Sequence, residues 1–185
     1  MSLFSINLGA SGFHLDVSCE DVDEGFLSSF SGQFRKEGDT TVYPKLYWQV
    51  VKILVGVERI GNIAFALDVD GSTEPFCSLY DISNGVYRDQ VAEEMNANPS
   101  DTYHDLLVLN GINYEGAESI DAGVIMLAIE KIESIQTLGV GLTGYFAEDV
   151  EDDSEKFISI LLDEGFQRLI YNGFVSQNAV MVFRP

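Results

Sequence analysis

The residues best suited to meet a charged ligand are acids that lie close together near the carboxyl terminus. Residues 148–155, EDVEDDSE, contain six aspartates and glutamates in eight positions. Such a run can attract a basic partner, but a divalent-ion site needs convergent oxygen atoms, which spacing alone does not provide. We therefore predict no metal site. The predicted contact surface for a basic protein consists of Asp149, Glu151, Asp152 and Asp153, and an ordinary solvated loop is the alternative.

Histidine is the other residue type here that could carry chemistry. The sequence has two histidines, His14 and His104, and their wide separation gives no metal-binding spacing. His104 directly precedes a short apolar run, residues 105–109, DLLVL. An imidazole at the mouth of a strand can act as a general base, so His104 is the candidate catalytic residue, and a purely structural role is the alternative.

The charge balance limits the classes of ligand. The chain has 30 acidic and 10 basic residues, a formal net charge of −20. Nucleic acid is not an expected ligand, because its phosphates require a basic surface. Three interpretations of the excess acid remain open: a surface for a basic partner, an adaptation to a salty habitat, or solubility alone.

Length and composition predict one globular domain over residues 1–185. With 46% hydrophobic residues, a chain of this length can bury a substantial core. No apolar run approaches the roughly 18 residues that span a bilayer, and the first residues have no basic start. Cys19 and Cys77 are isolated and predict reduced thiols. We expect a cytoplasmic protein with no membrane partner.

A strand, a loop and a long helix form the centre of the predicted fold. Residues 105–109 form an apolar run too short for a helix, and it stops at Asn110-Gly111, so it predicts an interior strand. Residues 123–138 place isoleucines three or four positions apart and predict a helix that Gly139 ends. The loop between them could bind a phosphate group, because free amides and the helix dipole point into it.

Other segments add mainly strands. Alternation predicts strands at residues 13–17 and 140–146. Aromatic and β-branched residues predict a pair of strands at residues 43–57 and 63–69, although the first run could begin as a helix. Residues 166–171 precede a turn at residues 172–173 and a last strand at residues 179–183. The phenylalanine and leucine spacing in residues 25–38 predicts a short helix, and Ser154 is expected to cap another that Gly165 ends. Residues 72–104 resemble an insertion with a short helix near residues 87–95. The whole predicts an α/β (α+β) domain whose central mixed sheet has about six or seven strands.

From residue 105 onward this order resembles the second half of the GNAT superfamily of acyl-CoA-dependent N-acyltransferases. The similar residues are GVIMLAIEKIESIQTLGV, the helix that ends in LDEGF, and the terminal VMVF. The resemblance implies a mixed, mostly antiparallel sheet flanked by helices. It also implies an acetyl-CoA cofactor, for which the matching positions are Leu107, Val108, Leu109, Ala122 and Gly123.

The chain departs from the family at the positions that would bind the cofactor. The family's loop carries Arg or Gln, two residues, Gly, one residue, and Gly or Ala, whereas the aligned positions here hold Glu118 and Asp121. Asp121 is placed to cap the helix and take the amides that a phosphate would use. The family's loop asparagine and its proton-donating tyrosine correspond to Ser154 and Leu161, and leucine cannot donate a proton.

Three hypotheses follow from the sequence. The first is a GNAT-like acidic protein with a degraded acyl-CoA loop and no cofactor, acting as a non-catalytic binding or regulatory protein. The second is an acetyl-CoA-dependent N-acetyltransferase with an atypical loop, in which His104 or an acid near the central strand is the base. The third is an unrelated α/β domain that shares only the tail, since fold alone does not determine function.

Overall fold

A large twisted sheet organises the molecule. The computed structural model describes residues 4–23, 27–52, 71, 73–94, 96, 105–136 and 142–184. The strands are β1 (Phe4–Asn7), β2 (Phe13–Asp23), β3 (Leu27–Lys36), β4 (Lys45–Val51), β5 (Tyr80–Asp81), β6 (Val86–Tyr87), β7 (Leu106–Asn113), β8 (Leu142–Ala147), β9 (Gln167–Arg168) and β10 (Val180–Arg184). The α-helices in the described residues are α1 (Asp89–Glu94), α2 (Ala122–Gln136) and α3 (Asp152–Asp163), with 3₁₀ turns at Gly9–Ser11 and Glu74–Leu79.

The strand order confirms a mixed, mostly antiparallel sheet flanked by helices. In the described residues eight strands follow the order β1-β2-β3-β4-β7-β8-β10-β9, slightly more than the six or seven expected. Each neighbouring pair is antiparallel except β7 and β8, which run parallel. A parallel pair needs a crossover connection, and α2 provides it.

Two cores cover the two faces of this sheet. Helices α2 and α3 pack on one face, where Ile125, Ile129 and Ile132 are fully buried, as the 3.6-residue period predicted. The described part of residues 72–104 covers the other face. There Phe76, Leu79 and other apolar residues of this segment pack against β7, β8 and β10. Successive residues of β7 therefore point alternately into the two cores and are apolar on both sides.

The helix predicted over residues 25–38 is wrong in its described part: residues 27–36 form strand β3. Phe30 and Phe34 lie four positions apart, and a spacing of four fits both a helical turn and two strand repeats. In the structure Phe34 belongs to the core beneath α2, and Phe30 packs against that core and stacks on Trp48 of β4 with ring centroids 5.7 Å apart. Pairing with β2 on one side and β4 on the other outweighs the weak helical signal of a segment rich in serine and glycine.

Several other predictions can be compared with the structure. Helix α2 and strands β2, β4, β7, β8 and β10 overlap the predicted segments, and α1 lies within the predicted short helix. Strand β2 continues to Asp23 and β7 to Asn113, past the predicted ends at residues 17 and 109. Gly165, with φ of 89°, follows α3 as expected. His104, residues 53–70 and Gly139 lie outside the described residues. In the described part of the chain, no helix is long and apolar enough to cross a bilayer.

Candidate functional site

The parallel strands β7 and β8 separate at one end of their ladder. Their pairing runs from Leu106 opposite Leu142 to Leu109 opposite Tyr145, and β7 then continues to Asn113 paired only with β4. The register with β4 shifts at this point, because Trp48 faces Leu109 whereas Tyr47, the residue before it in β4, faces Gly111. Asn110 is therefore the extra residue of a β-bulge, and a bulge bends its strand.

Gly111 makes the bend possible. Its φ is +110°, a backbone conformation that side-chain-bearing residues rarely adopt. The sequence signal Asn110-Gly111 had predicted the end of the strand, but the structure places a bulge there and the strand resumes for two further residues. The consequence is a gap between β7 and β8 at the carboxyl end of both strands.

A cleft of about 290 Å³ opens at this gap on the face that carries α3. We call it the β7–β8 cleft. The bulged part of β7 forms one wall, the end of β8 forms the floor, and the segment leading into α3 forms the other wall. The lining residues are Asn110, Gly111, Ile112, Tyr145, Ala147, Asp149, Glu151, Asp153, Ser154 and Phe157. Asn110 also borders a hollow of about 350 Å³ beside Phe76 on the opposite face of the sheet.

Tyr145 is the polar side chain at the floor of the cleft. It is only 7% exposed, and its ring meets Phe157 edge to face, with centroids 4.9 Å apart. A Cβ atom placed on Gly111 would lie 4.0 Å from the Tyr145 hydroxyl oxygen, so Gly111 directly borders this hydroxyl. Burial raises the pKa of the Tyr145 hydroxyl. Within the described ranges, no residue forms a hydrogen bond with that hydroxyl.

Acids surround the mouth of the cleft. Of the four residues predicted as the partner surface, Asp149, Glu151 and Asp153 line the cleft, whereas Asp152 does not. Ser176 donates a hydrogen bond to Asp149 at 3.1 Å and so helps to position it. Among the described residues that line the cleft none is basic, so this opening has a negative potential.

The acidic segment is partly helical, which corrects the predicted boundary. Helix α3 begins at Asp152, several residues before the apolar part that Ser154 was expected to cap. Glu151 occupies the cap position, and its backbone N–H donates to the Ser154 hydroxyl at 2.8 Å. Acids in the first turn of a helix are favoured because they meet the positive end of its dipole, which explains why the helix extends into the acidic run.

Tyr114 lies in the same region and was not singled out from the sequence. Its hydroxyl is buried and has no hydrogen-bond partner among the described residues. Burial and, second, the charge of Asp153 raise the pKa of Tyr114. The ammonium group of Lys156 lies 4.6 Å from the centre of the Tyr114 ring and is the nearby cation.

The amino terminus of α2 is occupied by the protein's own carboxylate. Asp121 accepts a hydrogen bond from the Gly123 backbone N–H at 2.8 Å, as the sequence predicted. The Glu118 N–H donates to the Val42 carbonyl at 2.9 Å, which fixes the loop. Ala122 and Gly123 are the first two residues of the helix and are exposed.

The other predicted cofactor positions are internal. Leu107, Val108 and Leu109 are fully buried and pair with β4 on one side and β8 on the other. The backbone of β7 is paired with β8 as far as Leu109, and only the residues of β7 after Leu109 have no partner in β8. His104 lies outside the described residues, and none of the described residues that line the cleft is a histidine. No group of three acids, histidines or cysteines in the described ranges could hold a metal ion.

Fold and site together define an α+β protein with a small acidic cleft where two parallel strands separate. No protein-family model and no curated protein sequence matches the chain.

Proposed function

We propose that this protein is a GNAT-like, non-catalytic binding or regulatory protein that holds a basic partner protein at the mouth of the β7–β8 cleft. The observation that carries the proposal is the chemistry of that mouth. Three exposed carboxylates surround it, no described lining residue is basic, and the chain as a whole has a net charge of −20. Such a surface steers cations toward itself and repels anions.

The GNAT-like part of the proposal is supported by the order of elements after residue 105. Strand β7, a loop, helix α2, parallel strand β8, an acidic segment, helix α3 and the antiparallel strands β9 and β10 follow one another in the order that the resemblance implies. The Gly165-Phe166 pair closes α3, and Phe166 donates its N–H to the Leu161 carbonyl at 3.1 Å.

An acyl-CoA cofactor and acyl-transfer chemistry are not expected, for three local reasons. The Gly123 amide that would meet a phosphate already bonds to Asp121, whose negative charge would also repel the phosphate. Leu161, at the position of the family's proton-donating tyrosine, is fully buried in the core and has no proton to give. Ser154, at the position of the family's asparagine, is used in the cap of α3.

The alternative is an acetyl-CoA-dependent N-acetyltransferase with an atypical loop. The gap between β7 and β8 favours it, because the backbone of β7 after Leu109 is not paired toward β8 and an extended ligand could bond there. In that case acetyl-CoA is the cofactor, and His104 or an acid near the central strand is the base.

Calorimetry separates the two candidates. Native protein is titrated with acetyl-CoA and, separately, with a short lysine- and arginine-rich peptide at low and at high salt. We expect no heat with acetyl-CoA. Binding of the peptide should weaken strongly with salt, because exposed charges are screened over about 10 Å at 0.1 M ionic strength. Tight native binding of acetyl-CoA would instead favour the enzyme.

Two variants that change the charge equally test whether the mouth itself is responsible. The first replaces the partner surface with amides at Asp149, Glu151, Asp152 and Asp153. The control replaces four exposed acids that do not line the cleft, Glu93, Glu94, Glu130 and Asp163. The first variant should associate more slowly with the peptide, and the control should stay close to native. If both variants associate equally more slowly with the peptide, the effect depends on net charge alone, and the proposed surface is refuted.

A further inference from the structure

The β7–β8 cleft has a feature that a solvated acidic loop does not need. The hydroxyl of Tyr145 lies at its floor in a side chain that is 7% exposed, and no described residue bonds to it. The hydroxyl oxygen is not among the described polar atoms that are fully buried without a partner, so it keeps access to the cleft and can bond to a group that enters. The floor therefore offers an unused hydrogen-bonding group directly below a ring of negative charge.

The arrangement of the carboxylates distinguishes between cations. No group of three metal-ligating side chains within the described ranges converges on one point. A compact ion cannot meet several acids that are spread around an opening. A guanidinium group can, because it presents five N–H donors in a rigid planar fork. It is also more weakly hydrated than an ammonium group, which lowers the cost of entering a half-buried cleft.

The remaining walls fit the rest of an arginine side chain. Ile112, Ala147 and Phe157 are apolar lining residues and can cover the methylene stem. At about 290 Å³ the cleft is at the lower limit of the volumes usual for small-molecule sites. That size suits one side chain better than a cofactor or a folded segment.

We propose that an arginine side chain of the basic partner enters the β7–β8 cleft. Its stem lies along the apolar walls, and its guanidinium group donates to the hydroxyl of Tyr145 and to the carboxylates at the mouth. This inference rests on the proposed function, because it names the group by which the acidic surface recognises its partner.

The test uses three synthetic peptides that are identical except at one central position, which holds arginine, lysine or citrulline. Citrulline keeps the shape of arginine and removes its charge. We expect the arginine peptide to bind roughly tenfold more tightly than the lysine peptide, because bidentate, charge-assisted hydrogen bonds are the stronger kind. The citrulline peptide should bind most weakly. Calorimetry at one fixed salt concentration provides all three affinities.

Two protein variants locate the effect in the cleft. Tyr145→Phe should weaken the arginine peptide by roughly tenfold, since one hydrogen bond to a charged group is lost, and it should leave the citrulline peptide much less affected. Asp153→Asn should weaken it more than Asp152→Asn. These two acids are neighbours in the first turn of α3 and lose the same charge, but only Asp153 lines the cleft. Circular dichroism confirms that each variant is folded.

The outcomes separate the inference from the proposed function. Equal affinity for the arginine and lysine peptides, with salt-sensitive binding that depends on the partner surface, would overturn the arginine site and leave the acidic surface standing. An unchanged affinity in Tyr145→Phe, with equal losses in the two aspartate variants, would also overturn it. If none of the peptides binds at low salt, both proposals fail.

Discussion

Replacing Asp121 with alanine tests whether the amino terminus of α2 is held by the protein itself. Asp121 accepts one hydrogen bond from the Gly123 amide at 2.8 Å, and its own carbonyl accepts the N–H groups of Val124 and Ile125. The substitution removes only the side-chain bond. Loss of such a cap costs about 1 kcal/mol, within a usual range of roughly 0.5–2 kcal/mol. For a domain of about this size, that corresponds to a melting temperature lower by about 2–4 °C.

The measurement is urea unfolding followed by the fluorescence of Trp48. This is the single tryptophan of the sequence, and it is 1% exposed in the core on which α2 packs. We expect the midpoint to fall with an unchanged slope, since the area exposed on unfolding hardly changes. Asp121→Asn is the control, because asparagine caps helices as well as aspartate does. If the alanine variant unfolds at the native midpoint, or the asparagine variant loses as much, the side-chain bond does not hold this amide.

Two further predictions follow from the same structure. Glu118→Arg combined with Asp121→Gly should raise the affinity for acetyl-CoA, because like charges about 4 Å apart near a surface repel by up to ~4 kcal/mol. Calorimetry measures this affinity, and an unchanged value would mean that negative charge is not what prevents the loop from binding the cofactor. Hydrogen bonds from the Thr41 hydroxyl and amide, and then from the Tyr43 hydroxyl, lower the pKa of Asp39 to about 2. Because the folded pKa is depressed, the stabilisation is present above the ordinary value of 3.8 and is lost as the pH falls toward 2. An NMR titration of Asp39 with a midpoint near the ordinary value would contradict this.

The elements that the sequence predicts best are those with a single strong period. Helix α2 has a broad apolar face that only a helix aligns, and the alternation around β8 fits only a strand. Strand β3 was misread because its phenylalanines are four apart, a spacing common to both periods. Only the neighbours β2 and β4, which lie on either side of it in the sheet, decide between the two.

The site was predictable in part. The acids of residues 148–155 stand out in the sequence by their density alone. Which of them face the cleft depends on the start of α3, and that is why Asp152 and Asp153 differ although they are adjacent. Tyr145 could not be singled out, because a tyrosine in an alternating strand carries no sign of whether its hydroxyl finds a partner. The pair Asn110-Gly111 indicates an irregularity in the strand, but the same residue types occur in turns and in bulges, so the sequence does not decide between the two.

Because of the bulge, the width of the cleft depends on the number of residues in β7. Leu109 and Ile112 both contact the core beneath α2 although they are three positions apart, because Asn110 stands outside the strand alternation. A chain lacking only Asn110 would place the same two residues at the regular spacing of two, so the core would keep every one of its side chains. Strand β7 could then run straight beside β8. A one-codon deletion, with no substitution anywhere, would thereby close the β7–β8 cleft and leave the hydrophobic interior unaltered.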